Sequence, residues 1–576
     1  MLITADKFDK ALAYLSEIDT LAIDTETYKT ASWQSRILLG VSTYGKLQSG
    51  QAANFYFPFR HGNTNNLPVA YLSKLATGLK GPNQLLFHNA KFDLNILRRD
   101  KIVLEQPFYD TMIMSHLLQV NGTHALKELA KLYGIDKNAD HEKKLMAVAQ
   151  KQYKRWDQIP ASVMEPYACK DTKLTYNLFH VLKKLLEKSD LWKLWEEEEL
   201  YCRALATLEY SGMQFDIPAA NKLDDESYAR MQEIKDTLKF DPAKSIDLAR
   251  VLFEELGFEP TYASKKKKYT PTKSFPNGQP DMDEAALSKY KHPIVDLVIE
   301  YRGLQKARST WYVGLPEFCD DNCRIHTHFN QIGTVTTRLT SSQPNLQQLP
   351  RNLEETPVRK LFCAEPDHYL YEFDYSQIEY RLAAVYAKEE RILEAYSTGA
   401  DFHELTSNML GITRQDGKMT NFLLLYLGGP ERLASELGLT FNAAKDFKNR
   451  YHRLYSKLYS KAHEVNYKAE KQGYINLWTG HRTEFQVFYE AKKAWNRLIQ
   501  GGAHQIMKYG IINVYNSKGP SKMVSTVHDS LLVQIPKRHL ADEIERIKFC
   551  LEWASRDERF RIPFPVDVKL LAKDCE

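Results

Sequence analysis

The sequence predicts a multi-domain protein that combines α/β and α+β architecture, and three observations lead to this fold class. Its 576 residues would fill three to four domains of about 150 residues each. Hydrophobic residues make up 43% of the chain and charged residues 26%, as in ordinary globular proteins. Apolar, β-branched or aromatic runs near residues 20 and 370 are followed by long segments with helical spacing of apolar residues. The net charge of +5 permits a polyanionic partner without requiring one.

The cysteines and the N-terminus bear on where the protein works. Seven cysteines without CxxC pairs favour neither a disulfide framework nor a zinc ribbon. The N-terminal segment MLITADKFDKALAYL lacks the apolar core of a signal peptide. We therefore expect a cytoplasmic protein, in a bacterium or a phage-infected host, with no membrane association.

The first part of the chain predicts an α/β unit. The run TLAIDTET is typical of a strand and QLLFHNAKFD of a second one, and helical patterns follow to about Leu186, with Gly134 as a helix stop. Residues 191–210 predict a long helix that leads into the next domain. The four lysines Lys265–Lys268, followed by Pro, Gly and Asn, indicate an exposed loop.

Four acids and a tyrosine in this unit suggest a metal site. Asp24 and Glu26 lie two apart in a strand and share a face, whereas Tyr167 and Asp171 lie one helical turn apart. Together with Asp93 they offer the hard oxygen ligands that Mg²⁺ or Mn²⁺ prefers. Any one of these acids alone fits a surface position or a helix cap better. As a set they predict two-metal hydrolysis of a phosphodiester.

A second pair of acids lies in the last third of the chain. Asp374 ends the aromatic run YLYEFDY, and Asp529 lies between the two halves of MVSTVHDSLLVQIP, which predicts a hairpin with a charged tip. If the two acids meet, they can hold two metal ions. An isolated aspartate in a turn would explain Asp529 equally well without its neighbours.

A basic and aromatic stripe lies between these acids. Arg414, Lys418, Phe422 and Tyr426 recur every four residues, and each step rotates by about 40° net around a helix. The cationic end suits a triphosphate and the aromatic end suits a stacked base. Alone, the segment fits an amphipathic helix better, with both aromatic rings in the core and both cations reaching solvent. The neighbouring acids favour the nucleotide interpretation.

The motifs DTET, NAKFD and YACKD, in this order, resemble those of the tyrosine-containing subclass of DEDD 3′-5′ exonucleases. The resemblance covers residues 1 to 190 and implies an RNase H-like exonuclease domain. It also implies that the metal ligands are Asp24, Glu26, Asp93 and Asp171, and that Tyr167 orients the attacking water.

The motifs DYSQIEYR, RQDGKMTNFLLLY and VHDS resemble motifs A, B and C of the family A DNA polymerases. The resemblance implies a right-hand polymerase after the exonuclease, with no 5′-nuclease segment expected ahead of it. The implied domains are an exonuclease at 1–190, palm entry and helical thumb at 191–320, palm at 321–387, fingers at 388–483 and palm at 484–576.

The resemblance assigns roles to individual residues. Asp374 and Asp529, with the Tyr375 carbonyl, are implied ligands of two Mg²⁺ ions, with Mn²⁺ as an alternative, and each active site takes two ions. Lys418 is the implied general acid for pyrophosphate. The implied nucleotide contacts are Arg414, Lys418, Phe422, Tyr426, Gln377, His403 and Glu379, the last as a steric gate against ribose. The implied DNA contacts are Arg338, Asn345, Gln347, Asn496, Gln500 and His528, and Lys265–Lys268 would track phosphates.

Several positions depart from the family pattern. Ser530 replaces a second acid in motif C, Thr337 and Leu427 stand where glycine is usual, and Lys492 replaces an arginine. These departures indicate a divergent, phage-type member. Phe422, in place of tyrosine, predicts discrimination against dideoxynucleotides.

The sequence therefore predicts a proofreading DNA polymerase that binds primer-template DNA and dNTPs and acts as a monomer. Two alternatives remain. One is a 3′ exonuclease of RNA processing whose C-terminal region only binds nucleic acid. The other is a degenerate polymerase that serves as a DNA-binding scaffold, for which Ser530 is the only sequence indication.

Overall fold

The computed structural model describes residues 1–28, 36–62, 66–262, 280–350 and 357–574. The lysine run Lys265–Lys268 lies outside these ranges. None of the helices within them has the length and apolar character needed to cross a membrane. The chain forms two compact units, of which the first comprises Met1–Gly212, Thr327–Gln347 and Asp367–Leu570, and the second comprises Met213–His326, Gln348–Pro366 and Leu571–Glu576.

The N-terminal part of the first unit alternates strands with helices. Its elements are α1 Ala5–Ser16, β1 Thr20–Tyr28, β2 Ile37–Lys46, β3 Ala52–Pro58, α2 Tyr71–Leu79, β4 Gln84–Phe87, α3 Ala90–Arg99, β5 Phe108–Asp110, α4 Thr111–Leu118, α5 Leu126–Leu132, α6 His141–Tyr153, α7 Ala161–Lys188 and α8 Leu194–Ser211.

These strands form one mixed sheet with the order β3-β2-β1-β4-β5. Strand β1 pairs antiparallel with β2 and parallel with β4. Strand β1 confirms the first run seen in the sequence. Strand β4 confirms only the QLLF part of the second run, because α3 begins at Ala90. Strands β2, β3 and β5 are additional. In β2 all eight residues from Leu38 to Gly45 are buried, so the polar alternation that marks a half-exposed strand is absent.

Helices α7 and α8 follow the sequence prediction. Helix α7 contains both Tyr167 and Asp171, and α8 confirms the long helix expected over 191–210. Gly134, two residues beyond the end of α5, has φ +67°, as expected of a glycine helix stop. The α8 carboxylate Glu198 is buried and accepts hydrogen bonds from His481 at 2.7 Å and Lys508 at 2.6 Å. This buried ionic group ties the exonuclease-like part to the C-terminal part of the same unit.

The middle of the chain contributes short strands and helices. Its elements are β6 Met213–Phe215, α9 Ile217–Leu238, α10 Ser245–Ala249, α11 Glu284–Leu287, α12 Pro293–Ala307, β7 Arg324–Ile325, β8 His328–Asn330, β9 Thr340–Ser342 and β10 Phe362–Cys363. In the second unit, β10, β6 and β7 form a three-stranded antiparallel sheet. Helices α9 and α12 pack together, and Asp224 pairs with Arg308 at 2.7 Å.

The last part of the chain is mainly helical around one sheet. Its elements are β11 His368–Tyr375, α13 Ile378–Ala387, α14 Glu390–Thr398, α15 Phe402–Leu410, α16 Arg414–Leu425, α17 Pro430–Leu437, α18 Phe441–Leu454, α19 Ser456–Gln472, β12 Tyr474–Asn476, β13 Arg482–Glu484, α20 Ala494–Asn516, β14 Lys522–Val527, β15 Ser530–Pro536, α21 Leu540–Leu551 and β16 Val566–Ala572.

The principal sheet here has the order β14-β15-β11-β16. Strands β14 and β15 form the predicted hairpin with His528 and Asp529 at its tip, and β11 confirms the strand that ends at Asp374 and Tyr375. The long helix α20, with Trp495 fully buried, packs in the same core. Among the described cysteines, five are free thiols, whereas Cys363 forms a disulfide bond. A disulfide was not expected from the sequence.

Candidate active sites

The first acid cluster forms on the sheet of the N-terminal part. Glu26, Asp93 and Asp171 are buried and Asp24 is half-buried. Burial raises the pKa of Asp24 to about 6, against the opposing charge of Lys127. Burial, and then the charge of Asp24, raise the pKa of Glu26 to about 8. The negative charges of these carboxylates therefore lie close together, and the positive charge of Lys127 offsets them only in part.

Asp93 is held in this cluster by β1. The backbone N–H and the hydroxyl of Thr25 donate to its Oδ1 at 2.8 and 2.7 Å. Burial, and then Asp24, raise the pKa of Asp93 well above its ordinary value. Nearby Asp110 caps α4, where it accepts from the N–H groups of Met112 and Ile113, so this further buried acid has a structural role.

Lys127 is a residue of this site that the sequence interpretation missed. It lies on α5, it is buried, and its Nζ forms an ion pair with Asp171. Its ammonium group also lies 4.8 Å from the centre of the Tyr167 ring. Lysine at a helical surface usually reaches solvent, so no sequence signal separated Lys127 from the other lysines of α5.

The second acid cluster lies where β11 ends and the β14–β15 hairpin turns. Asp374 pairs with Ser530 across the sheet, and the Tyr375 N–H donates to the Asp529 carbonyl at 3.2 Å. Asp374 reaches solvent, but the surrounding protein desolvates it and raises its pKa to about 6, with contributions from Glu372 and Asp567. Burial, and then Glu379, raise the pKa of Asp529 to about 7, with a smaller contribution from Asp374. The two acids therefore meet.

Glu379 connects this cluster to the basic and aromatic helix. It lies in the first turn of α13, forms an ion pair with Arg338, and accepts a hydrogen bond from the Tyr426 hydroxyl. The arrangement places the implied steric gate beside an implied base-stacking ring and an implied DNA contact.

The stripe of basic and aromatic residues occupies α16. Arg414, Lys418 and Phe422 lie within the helix and are exposed, whereas Tyr426 is half-buried and directly follows its last residue. Phe422 is 38% exposed, so the alternative that placed its ring in the core is wrong. Its ring lies 5.8 Å from that of Tyr380 and 6.0 Å from that of His403.

The remaining implied nucleotide contacts flank this helix. Arg414 pairs with Asp401 at 2.6 Å. His403 is buried, its Nδ1 accepts from Asn421 at 2.9 Å, and its Nε2 has no partner among the described residues. Burial lowers the pKa of His403 to about 4. Gln377, which precedes α13, accepts from the Tyr396 hydroxyl at 2.8 Å.

Apart from Arg338, the implied DNA contacts fall into three places. Asn345 accepts from the Ser341 hydroxyl at 2.7 Å and from the Gln347 N–H at 3.1 Å, which orders one loop. Asn496 and Gln500 lie four residues apart on α20 and are half-buried. His528 is exposed at the hairpin tip with φ +54°.

The two positions where glycine was expected keep the backbone that glycine favours. Thr337 and Leu427 both have φ +58°, in the left-handed region that L residues occupy at a cost of about 1–2 kcal/mol. The Thr337 hydroxyl accepts from Gln505 at 3.1 Å. Both residues therefore adopt a backbone conformation that a glycine would adopt without strain.

Divalent metal ions fit the chemistry of both acid clusters. Crowded carboxylate oxygens with raised pKa values are what a hard cation would stabilise. Among the described residues, however, no three or more His, Cys, Asp or Glu side chains are arranged closely enough to hold a metal ion. At the first cluster, the Lys127 ammonium supplies positive charge beside Asp171 instead.

Comparison with known proteins places this arrangement in a family. The family model of DNA polymerase family A matches residues 219–574, which is more than half of the chain. The chain belongs to DNA polymerase family A. Residues 1–187 match the model of a 3′-5′ exonuclease domain, so an exonuclease domain precedes the polymerase domain in this family A chain. Divalent metal ions are general cofactors of both kinds of domain.

Relatives and a solved structure agree with the assignment. The chain is 28% identical to DNA polymerase I of Synechocystis sp. over 93% of its own length and 58% of that protein. It is 27% identical to DNA polymerase I of Borreliella burgdorferi over 96% of its length and 62% of that protein. The chain thus spans about 60% of these curated relatives.

The fold is similar to that of the POL domain of Pol1 from M. smegmatis, solved in complex with DNA primer-template and dNTP. The TM-score is 0.80 with 22% identity over 98% of both chains. This likeness supports the fold predicted from the motifs, an exonuclease domain followed by a polymerase domain.

Proposed function

We propose that this protein is a template-directed DNA polymerase that adds dNTPs to a primer 3′ end and removes misinserted nucleotides with its 3′-5′ exonuclease. The observation that carries the proposal is the meeting of Asp374 and Asp529 beside Glu379, Tyr426 and Arg338. These residues combine carboxylates for metal ions with groups suited to a nucleotide and a primer.

In this proposal each acid cluster takes two Mg²⁺ ions, with Mn²⁺ as an alternative. Asp374, Asp529 and the Tyr375 carbonyl would hold the polymerase ions, and Asp24, Glu26, Asp93 and Asp171 would hold the exonuclease ions. Bound divalent ions supply activation of a nucleophile and stabilisation of the leaving oxygen. Tyr167 would orient the water that attacks the terminal phosphodiester.

The protein's own groups would do the rest of the polymerase reaction. Arg414 and Lys418 would bind the triphosphate, Lys418 would donate a proton to the pyrophosphate, and Phe422 and Tyr426 would stack near the base pair. Arg414 would exchange its ion pair with Asp401 for phosphate oxygens. Glu379 would leave no room for a ribose 2′-hydroxyl, which selects dNTPs over ribonucleotides.

We further propose the division into exonuclease, thumb, palm and fingers given by the motifs, action as a monomer, and a cytoplasmic location with the DNA template. Arg338, Asn345, Gln347, Asn496, Gln500 and His528 would contact primer-template DNA. Minor-groove acceptors are placed almost equally in all correct base pairs, so such contacts would test pairing geometry.

Primer extension with separated site variants tests this proposal. A labelled primer-template is incubated with Mg²⁺, with and without dNTPs, with the wild type, Asp374→Ala and Asp24→Ala. We expect Asp374→Ala to lose extension by at least about 100-fold while it still degrades the primer, and Asp24→Ala to show the reverse. A wild type that degrades primers but never extends them would support the exonuclease with a passive binding region instead. Retained primer-template binding without any extension or degradation would support the scaffold.

A further inference from the structure

The hairpin of the proposed polymerase site lacks an acid that its family usually has, because Ser530 follows Asp529. Ser530 is buried, and its hydroxyl lies 3.3 Å from Glu372 Oε1 and 3.0 Å from the Val527 carbonyl oxygen. A serine has one hydroxyl hydrogen, so it can donate to the Glu372 carboxylate or to that carbonyl. The site therefore has a carboxylate next to position 530, although position 530 itself has none.

The sheet register explains how Glu372 comes to this place. On β11, Glu372 and Asp374 lie two residues apart, so both side chains point to one face. Asp374 is opposite Ser530 on β15, and Glu372 is opposite Leu532. Glu372 and Ser530 are therefore diagonal neighbours on the face that carries Asp374, within reach of a long side chain.

Two further observations distinguish Glu372 from a solvated surface acid. It is half-buried. After burial, its negative charge raises the pKa of Asp374 most, ahead of that of Asp567 on β16. Asp567 is exposed and no hydrogen bond connects it to the hairpin among the described contacts. Glu372 thus combines charge, proximity and a hydrogen bond to the hairpin.

We propose that Glu372 provides, from β11, the carboxylate that the hairpin lacks at position 530, and that Ser530 positions it. This inference rests on the proposed polymerase function. Glu372 then serves as a positioning residue that adds negative charge at the metal-binding end of the site, by binding a metal ion's water or by fixing Asp374. The loss of an acid from β15 is compensated by an acid on its neighbour strand.

Metal binding tests this proposal independently of turnover. All variants carry Asp24→Ala, so that the exonuclease neither degrades the primer nor contributes its full metal site. Each is assembled with a dideoxy-terminated primer-template and the correct dNTP, which cannot react, and Mn²⁺ is titrated with detection by electron paramagnetic resonance. We expect Glu372→Gln to weaken Mn²⁺ binding about 10-fold, as is typical of groups that support metal ligands.

Matched variants distinguish a specific role of Glu372 from a general effect of negative charge near Asp374. Asp567→Asn removes the second of the two acids that raise the pKa of Asp374 and is expected to change the Mn²⁺ affinity less than about twofold. The exchange variant, Glu372→Ser with Ser530→Glu, moves the acid to the hairpin and is expected to restore the affinity that Glu372→Ser alone loses. Primer extension on an unblocked primer is expected to follow the same order, with unfolding temperatures close to that of the parent.

Three results would overturn the inference: unchanged Mn²⁺ binding in Glu372→Gln, an equal loss in Asp567→Asn, or no recovery in the exchange variant. Failure of the proposed function looks different. In that case the parent with Glu372 intact would show neither primer extension nor Mn²⁺ binding that depends on Asp374. If the parent extends primers and Glu372→Gln behaves like it, only the role of Glu372 is wrong.

Discussion

The two acid clusters of this protein differ in how the negative charge of their carboxylates is balanced. The exonuclease cluster is mostly buried and brings its own cation, because Lys127 pairs with Asp171. The polymerase cluster lies at the end of a sheet, where Asp374 reaches solvent and Arg338 pairs with Glu379 rather than with either aspartate. The negative charge of a buried cluster has to be offset by a cation within the protein, whereas that of an open cluster can be offset by bound cations.

At the open cluster of Asp374 and Asp529, the side chains around the acids should determine which nucleotide is accepted. The variant Phe422→Tyr tests this, and its expected effect is the largest. The ring is 38% exposed, so an added hydroxyl could stand in for the missing 3′-hydroxyl of a dideoxynucleotide. We expect the preference for dNTPs over dideoxynucleotides to fall by about 100-fold. Competition assays with mixed nucleotides measure it, and efficient termination of the wild type at equal concentrations would refute the prediction.

In the buried cluster around Asp171, Lys127 should compete with a metal ion for the Asp171 carboxylate. The variant Lys127→Met tests this. Without the ammonium group beside Asp171, we expect the Mg²⁺ concentration for half-maximal exonuclease rate to fall by about 3- to 10-fold. Degradation of a labelled single-stranded oligonucleotide measures this midpoint.

Lys131→Met is the matched control, because Lys131 lies on the same helix but pairs with Asp140 and Glu128 at the surface. Its midpoint should stay that of the wild type. A higher midpoint in Lys127→Met would mean that the lysine supports the metal site instead.

The crowding of buried acids around Glu26 should also make the free energy of unfolding depend on pH when no metal ion is bound. The pKa of Glu26 is raised to about 8 from an ordinary value near 4.5, so the folded state holds its proton longer than the unfolded state. In EDTA the free energy of unfolding should therefore fall as the pH rises from about 5 to 9. Glu26→Gln should flatten this dependence and stabilise the protein at pH 8 by about 1 kcal/mol or more.

Thermal unfolding in EDTA at several pH values measures the effect of Glu26→Gln. The exposed acid Glu128, changed to Gln, is the control that should leave the pH dependence unaltered. The gain should disappear when Mg²⁺ is added, because the cation then stabilises the charged carboxylates. An equal pH dependence in wild type and Glu26→Gln would show that this acid is not the one that titrates.

The smallest expected effect concerns the left-handed backbone at Thr337, the residue before Arg338. Thr337→Gly and Thr337→Ala both remove the hydroxyl bonded to Gln505, but only alanine keeps a Cβ at φ +58°. We expect the glycine variant to be more stable than the alanine variant by about 1 kcal/mol. In the exposed helical position Ala13, glycine should instead cost about 1 kcal/mol. Denaturant unfolding measures both pairs, and the same sign at both positions would argue against strain at Thr337.

The secondary structure around each motif followed from the sequence because its signals are local. The apolar and β-branched character of TLAIDTET, the turn between two apolar runs at Asp529 and the four-residue spacing of Tyr167 and Asp171 each depend on neighbours in the chain. Strand β2 was missed because burial of all residues from Leu38 to Gly45 leaves no alternation of polar and apolar residues to mark it.

The sequence by itself determined the family, the order of the exonuclease and polymerase motifs, and the residue types that carry their chemistry. Only the tertiary structure decided which charges meet. Lys127 reaches Asp171 from another helix, and Glu372 reaches Ser530 on the paired strand although the two lie 158 positions apart in the chain. Such contacts depend on helix packing and sheet register, which no local pattern encodes. For that reason the sequence could identify the acids of both sites but not the groups that balance or replace them.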